Sequence, residues 1–159
     1  MLNLRQHPRQ RIDWLEAALA SARRLENREA EGNALGNLGL AYADLGEPRR
    51  AIELYEQDIA IRREIGDLRG EGNVLGNLGL AYARLGEPRR AISHHEQALA
   101  ISQEIGDRRG EGDDLWNTAV AWEKLGDRAQ AALVIFEQIE DPNAPMVREA
   151  LARWRGEAK

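Results

Sequence analysis

The sequence predicts an all-α solenoid built from antiparallel helix pairs, on three observations. Residues 31 to 70 laid over residues 71 to 110 without a gap agree at 30 of 40 positions, and GNLGLAY and LGEPRRAI recur intact from Gly36 and Gly76 and from Leu45 and Leu85. Glycine and proline punctuate each copy at the same places, at Gly46 and Pro48 and again at Gly86 and Pro88. Between them the apolar residues follow a helical rather than an alternating spacing. Such a period marks stacked units, each of which buries its apolar face only against its neighbours. With 159 residues, 43% hydrophobic and 31% charged, the chain is long enough for one domain, 1–159, with a sizeable core.

The chain opens inside a unit. Pro8, Ile12, Glu16, Ala20 and Arg23 stand one period before Pro48, Ile52, Glu56, Ala60 and Arg63, so residues 1–30 form a half repeat. Its helix carries Ile12, Leu15, Leu19, Ala22 and Leu25 on one stripe, which in a full unit packs on a preceding helix. Only residues 1 to 7 remain to cover it, so Ile12, Leu15 and Leu19 are the expected surface for homo-oligomer formation or for docking on a separate domain, unless the chain was cut from a longer array.

The first full repeat, 31–70, predicts helices over about 30–45 and about 48–65. Gly46 reads as a left-handed C-terminal cap, Glu47 as an extended residue, and Pro48 as the start of the next helix. Gly66 repeats the device, with Asp67 as an N-cap. The second repeat, 71–110, gives helices over about 69–85 and about 88–105 by the same signals. A shortened repeat, 111–143, keeps Leu115, Asn117, Leu125, Gly126 and Ala131 and predicts helices over about 109–125 and about 128–139, before Asp141-Pro142-Asn143-Ala144-Pro145 ends it. In the last segment, 144–159, Val147, Ala150, Leu151 and Trp154 share one stripe, with Arg148, Glu149 and Arg153 elsewhere, as a solvating C-terminal capping helix over about 145–155 requires.

Leu38-Gly39 with Tyr42, Leu45-Gly46, Ala51 and Tyr55, repeated as Leu78-Gly79, Tyr82, Leu85-Gly86 and Ala91, fall at the spacing of the tetratricopeptide repeats, which the chain resembles over nearly its whole length. Most units of that family have ~34 residues. A unit of 40 ending in Ala60-Ile61-Arg62-Arg63-Glu64-Ile65-Gly66-Asp67 resembles a longer subclass, found in spindle-orientation adaptors, kinesin light chains and bacterial signalling proteins. The resemblance implies a right-handed superhelix whose inner wall, made by the first helix of each unit, grips a peptide. It implies an adaptor whose partner is a protein or peptide; neither catalytic residues nor a cofactor is expected.

At ~100° per residue, Asn33, Asn37, Leu40 and Asp44 lie within about 60° of one another, opposite Leu35, Leu38, Tyr42 and Leu45. The second stripe is the only strongly apolar one and must be core, so the first faces outward. Gly36, Gly39 and Ala43 lie on a flank where small size lets helices approach. The outward stripe continues as Asn73, Asn77, Leu80 and Arg84, then as Asp113, Asn117, Val120 and Lys124. Stacked, these predict an asparagine ladder beside an apolar row, ending in one acid and two bases. An asparagine amide donates and accepts at once, so a ladder pairs with the backbone of an extended peptide whatever its sequence, while leucines between them bury its side chains. The other reading is that Asn37 and Asn77 bond a neighbouring turn and that Leu40 and Leu80 pack against helix ends. Trp116 stands where Gly36 and Gly76 stand, as a binding anchor or as a plug over the shortened unit.

The family's carboxylate clamp, which holds a peptide's terminus with lysine, arginine and asparagine, is matched only in its asparagines. Asn33, Gly36, Leu40, Asn73 and Asn117 fill its basic places, which argues against a chaperone tail as ligand. Spindle adaptors carry asparagine where Leu40 and Leu80 stand, implying a more apolar ligand here.

Composition excludes other classes. No run approaches the ~18 apolar residues of a membrane span, and the opening Met-Leu-Asn-Leu-Arg-Gln-His-Pro lacks the apolar stretch of a signal peptide, so a cytoplasmic location is expected. With no cysteine there is neither disulfide nor thiolate chemistry. A net charge of −5 argues against a nucleic-acid binder, and all but two of the 22 basic residues are arginine, which hints at a GC-rich bacterial genome. No Gly-Lys-Ser or Gly-Lys-Thr loop and no nucleophile with its base occurs. His94 and His95 diverge on a helix and lack a third ligand at helical spacing, and His95 replaces Tyr55, so packing is the expectation and no metal site. Arg49-Arg50, Arg62-Arg63, Arg89-Arg90 and Arg108-Arg109 are expected in solvated pairs with nearby acids such as Asp67, Glu71 and Glu111. Asp58 departs from Ala18 and Ala98 and is expected to be a costly buried carboxylate, so that Asp58→Ala stabilises, unless a partner such as Arg69 or Asn73 reaches it.

Overall fold

The computed structural model describes residues 8–126 as six helices: α1 Pro8–Arg24, α2 Arg28–Asp44, α3 Pro48–Ile65, α4 Leu68–Arg84, α5 Pro88–Glu104 and α6 Arg108–Lys124. No strand occurs among the described residues. The expected helices over 128–139 and 145–155, with the Val147, Ala150, Leu151 and Trp154 stripe, lie outside them.

Helix starts follow the local chemistry. Asn27, Asp67 and Asp107 each accept a bond from a free amide of the first turn, that of Ala30 at 3.0 Å, Gly70 at 2.9 Å and Gly110 at 3.1 Å. These caps set α2, α4 and α6 going a residue or two before the expected starts. The alternate helices α3 and α5 begin at Pro48 and Pro88, whose rings suit the first turn. Their ends are equally regular. At the α2 terminus Gly46 has φ +76°, its N–H donates to the Ala43 carbonyl at 3.1 Å, and the Glu47 N–H reaches the Tyr42 carbonyl at 2.9 Å. That pair of bonds satisfies the last carbonyls and requires a left-handed residue. After α1 the same geometry falls on Glu26, at φ +53°, the place Gly66 holds one period later.

Consecutive helices pack against one another, and α2 also touches α4 and α4 touches α6, whereas α1, α3 and α5 do not meet. The first helices of the units therefore form the compressed, concave side of the stack. The core between the layers is the predicted stripe: Leu35, Leu38, Leu75, Leu78 and Tyr55 are fully buried, while Asn33, Asn37, Leu40 and Asp44 are exposed. Leu45 departs from expectation, 39% exposed, because it caps α2 just beyond its last turn. Gly39 lies flat under the Tyr55 ring, and Gly79 under His95, where a methyl group would come within 2.6 Å of the imidazole Cε1.

The N-terminal stripe is not left bare as expected. Ile12, 8% exposed, packs with Leu38 and Ala41, and Leu15 and Leu19 lie half-buried beside them. The reason is that a second helix packs on two first helices, and α2 supplies one of these. What this end exposes instead is Trp14, at 69%, and Leu25 just beyond α1.

Candidate peptide-binding groove

Among the described residues, two clefts open on the concave wall. The first, about 320 Å³, lies between α2 and α4 with Asp58 and Arg62 of α3 as its floor, and Asn33, Asn37, Leu40, Asn73 and Asn77 on its sides. The second, about 270 Å³, lies between α4 and α6 over Ile101, Ser102 and Ile105, with Asn73, Asn77, Leu80, Asp113, Asp114 and Asn117 around it. Asn73 and Asn77 line both, so α4 is the partition of a continuous groove.

The ladder is not uniform. Asn37 spends its amide on the Asn33 carbonyl one turn back, at 2.8 Å, and the Asn33 side-chain oxygen accepts from Arg62 at 2.7 Å. Asn73, Asn77 and Asn117 make no side-chain hydrogen bond among the described residues. Leu40 and Leu80 are 37% and 41% exposed, the apolar row expected between the amides. Arg84 reaches back to the Ala43 carbonyl at the end of α2, at 2.9 Å, and so ties two units together, while Lys124 is exposed beyond the second cleft. Trp116 is 64% exposed and lines neither cleft.

Asp58 corrects the expectation of an unpaired carboxylate. Its partner is neither Arg69 nor Asn73 but Arg62, one turn along the same helix, whose Nε donates to Oδ1 at 2.9 Å. Arg62 also donates to Asp67 at 2.7 Å, so one guanidinium joins α3, the cap of α4 and α2. The arginine was expected in a solvated pair and is instead 8% exposed. Burial raises the Asp58 carboxyl above its ordinary range, against the pull of Arg62. Its Oδ2 faces the bare Cα of Gly36 with no partner. Arg63 pairs with Glu71 at 2.6 Å and Arg108 with Glu111 at 3.2 Å, the arginines exposed and the glutamates half-buried.

Asp114 is the groove residue that sequence reasoning passed over. It is 7% exposed, accepts from the Ser102 hydroxyl at 3.0 Å, and is pushed up to about 6, mainly by burial. Comparing position 114 with Val74 and Ala34 would have flagged it, as the same comparison flagged Asp58. His95 fills the Tyr55 place at 1% exposure, lowered to about 4 by burial, and the His94 ring stacks on Tyr82 at 5.2 Å. No group of side chains among the described residues is arranged to hold a metal ion.

The sequence profile of the tetratricopeptide repeat matches residues 12–64, 53–104 and 70–141. The chain belongs to the tetratricopeptide-repeat family. Repeats of this kind are in general non-enzymatic protein–protein interaction modules. Among solved structures, the tetratricopeptide-repeat domain of Arabidopsis FLU superposes with a TM-score of 0.67 at 23% identity, over 71% of this chain and 95% of that one. A signal transduction ATPase with numerous domains from Pyrococcus horikoshii, which has a tetratricopeptide repeat sensor, superposes with a TM-score of 0.72 at 20% identity, over 97% of this chain and 25% of that one. At these identities the likeness is one of fold alone. No curated protein matches the tetratricopeptide chain in sequence. No helix among the described residues is long and apolar enough to cross a membrane.

Proposed function

We propose that the chain is a non-enzymatic adaptor that binds an extended or helical segment of a partner protein along the concave wall of α2, α4 and α6. The observation that carries this reading is the position of Asn73 and Asn77, whose uncommitted amides line both clefts beside the exposed Leu40 and Leu80. Amides at successive heights pair with a peptide backbone, and the leucines receive its apolar side chains. Asn117, Trp116 and Lys124 extend the surface along α6, whereas Asn37 and Arg84, held by their own neighbours, shape it.

A photo-crosslinking side chain at Leu80, compared with one at the exposed Glu53 of α3, tests the reading. Partners captured at position 80 and not at 53, and lost on Asn77→Ala, support it; equal capture at both positions rejects it.

A second reading, self-association through α1, draws on the 69% exposure of Trp14. Light scattering across concentration decides it: a mass that rises with concentration and falls on Trp14→Glu supports it, and a strict monomer ends it.

A further inference from the structure

The two clefts share a wall and differ in charge. In the first, the Arg62 guanidinium is received by Asp58, Asp67 and Asn33 at 2.9, 2.7 and 2.7 Å. One period later, the residues in the places of Arg62, Asp58, Asp67 and Asn33 are Ser102, Ala98, Asp107 and Asn73. The guanidinium is gone, Asn73 has no partner among the described residues, and Asp107 has turned to Arg69 at 2.8 Å. The carboxylate missing at Ala98 returns from the opposite wall as Asp114 in the place of Val74.

Asp114 is more than nine-tenths buried and lines the second cleft, yet no cation among the described residues reaches it. Its Oδ2 accepts from Ser102, and its Oδ1, facing Gly76, has no hydrogen-bond or ion-pair partner among the described residues. Among the described residues, Asp107, Asp113 and Asp114 are the charged ones lining this cleft, and none lining it is basic. Asp113 lies at the rim, 4.0 Å from Arg109, both side chains largely in solvent. A buried carboxylate without a cation is costly, and one facing a cavity of about 270 Å³ has room for the cation to arrive from outside. The carboxylates are not arranged to hold a metal ion, and a phosphate would be repelled.

We propose that the cleft between α4 and α6 receives a cationic side chain of the bound segment, an arginine by preference, which ion-pairs with Asp114 and donates to the Asn73 side-chain amide oxygen as Arg62 does with Asp58 and Asn33 in the neighbouring cleft. The planar fork of a guanidinium addresses a carboxylate and an amide oxygen together, which a lysine ammonium does less well. This inference deepens the groove reading and rests on it.

The test is selection of binders from a displayed library of random 12-residue peptides, followed by affinity measurement. The expected peptides share one arginine or lysine, lose binding on Leu80→Glu, and weaken at least tenfold when that arginine is replaced by citrulline. Against Asp114→Val the citrulline replacement is expected to change affinity less than twofold. Asp113→Asn, on the rim, serves as a second variant should Asp114→Val fail to give the helical circular dichroism of the wild type, and it is expected to weaken the arginine peptide alone. Peptides that need Leu80 but show no basic enrichment, or that tolerate citrulline, overturn the proposal and leave the groove reading standing. Peptides that bind Leu80→Glu as well as wild type, or a library that yields none, overturn both.

Discussion

Asp58 and Arg62 are joined one helical turn apart at 2.9 Å, beneath Gly32 and Gly36, whose missing side chains make the room that the carboxylate occupies. Removing one member of a buried pair strands the other. Arg62 would keep Asp67 and Asn33, so Asp58→Ala is expected to cost about 2 kcal/mol rather than to stabilise. Adding Arg62→Ser, which copies Ala98 and Ser102 of the next unit, should recover part of the loss. Urea unfolding of the two single variants and the double variant checks this; strictly additive costs would deny the coupling.

Asp114→Val is expected to stabilise by about 2 kcal/mol at neutral pH, since burial holds this carboxyl up at about 6 and the valine of the preceding unit fits the same place. A raised carboxyl contributes stability that is full below its unfolded value of 3.8 and is lost as pH rises through about 6. The gain from valine should therefore fade on acidification toward pH 4. Thermal melts at several pH values measure it, and a gain independent of pH would mean that packing, not charge, decides the site.

His95 titrates the other way. Its imidazole is lowered from 6.5 to about 4, so its stability is present above pH 6.5 and lost as pH falls toward 4. His95→Tyr, restoring the residue of the preceding unit, should remove this dependence and gain about 2 kcal/mol on wild type between pH 7.5 and pH 5. Asp114 opposes it in the same window, so the comparison is between variants and not the wild-type curve alone.

Two glycine substitutions should have opposite signs. Gly79→Ala sets a methyl 2.6 Å from the His95 ring and is expected to cost about 2–3 kcal/mol. Gly112→Ala meets nothing within 4 Å on α6 and should gain up to about 1 kcal/mol from helix propensity. Equal effects in denaturant unfolding would show that close approach on α5 is not what fixes Gly79.

Glu26 holds the left-handed position that glycine holds after each later helix. Glu26→Gly should therefore stabilise by about 1 kcal/mol by relieving the backbone. A loss would point to a contact of the glutamate side chain.

Much of the architecture was legible because repetition reports it directly: the glycines at positive φ, the caps at Asp67 and Asp107, and the opposed stripes of α2 and α4 stand where the period puts them. The partner of Asp58 was legible too, since Arg62 sits one turn along the same helix at the spacing that pairs side chains. What the sequence could not supply is how far one unit is turned against the next. That rotation decides that Arg84 finds the Ala43 carbonyl and that α2 covers Ile12 while Trp14 stays in solvent.

That α2 meets α4 and α4 meets α6, with no contact between α2 and α6, also sets the mechanics of the described array. Such a stack is a short spring, soft in the curvature that opens or closes its inner side. A segment lying across both clefts would link α2 to α6, which do not otherwise meet, and so act as a strut that stiffens the spring as it binds. Amide exchange along α4, the helix shared by both clefts, would then slow on binding, in helical turns that touch no ligand at all.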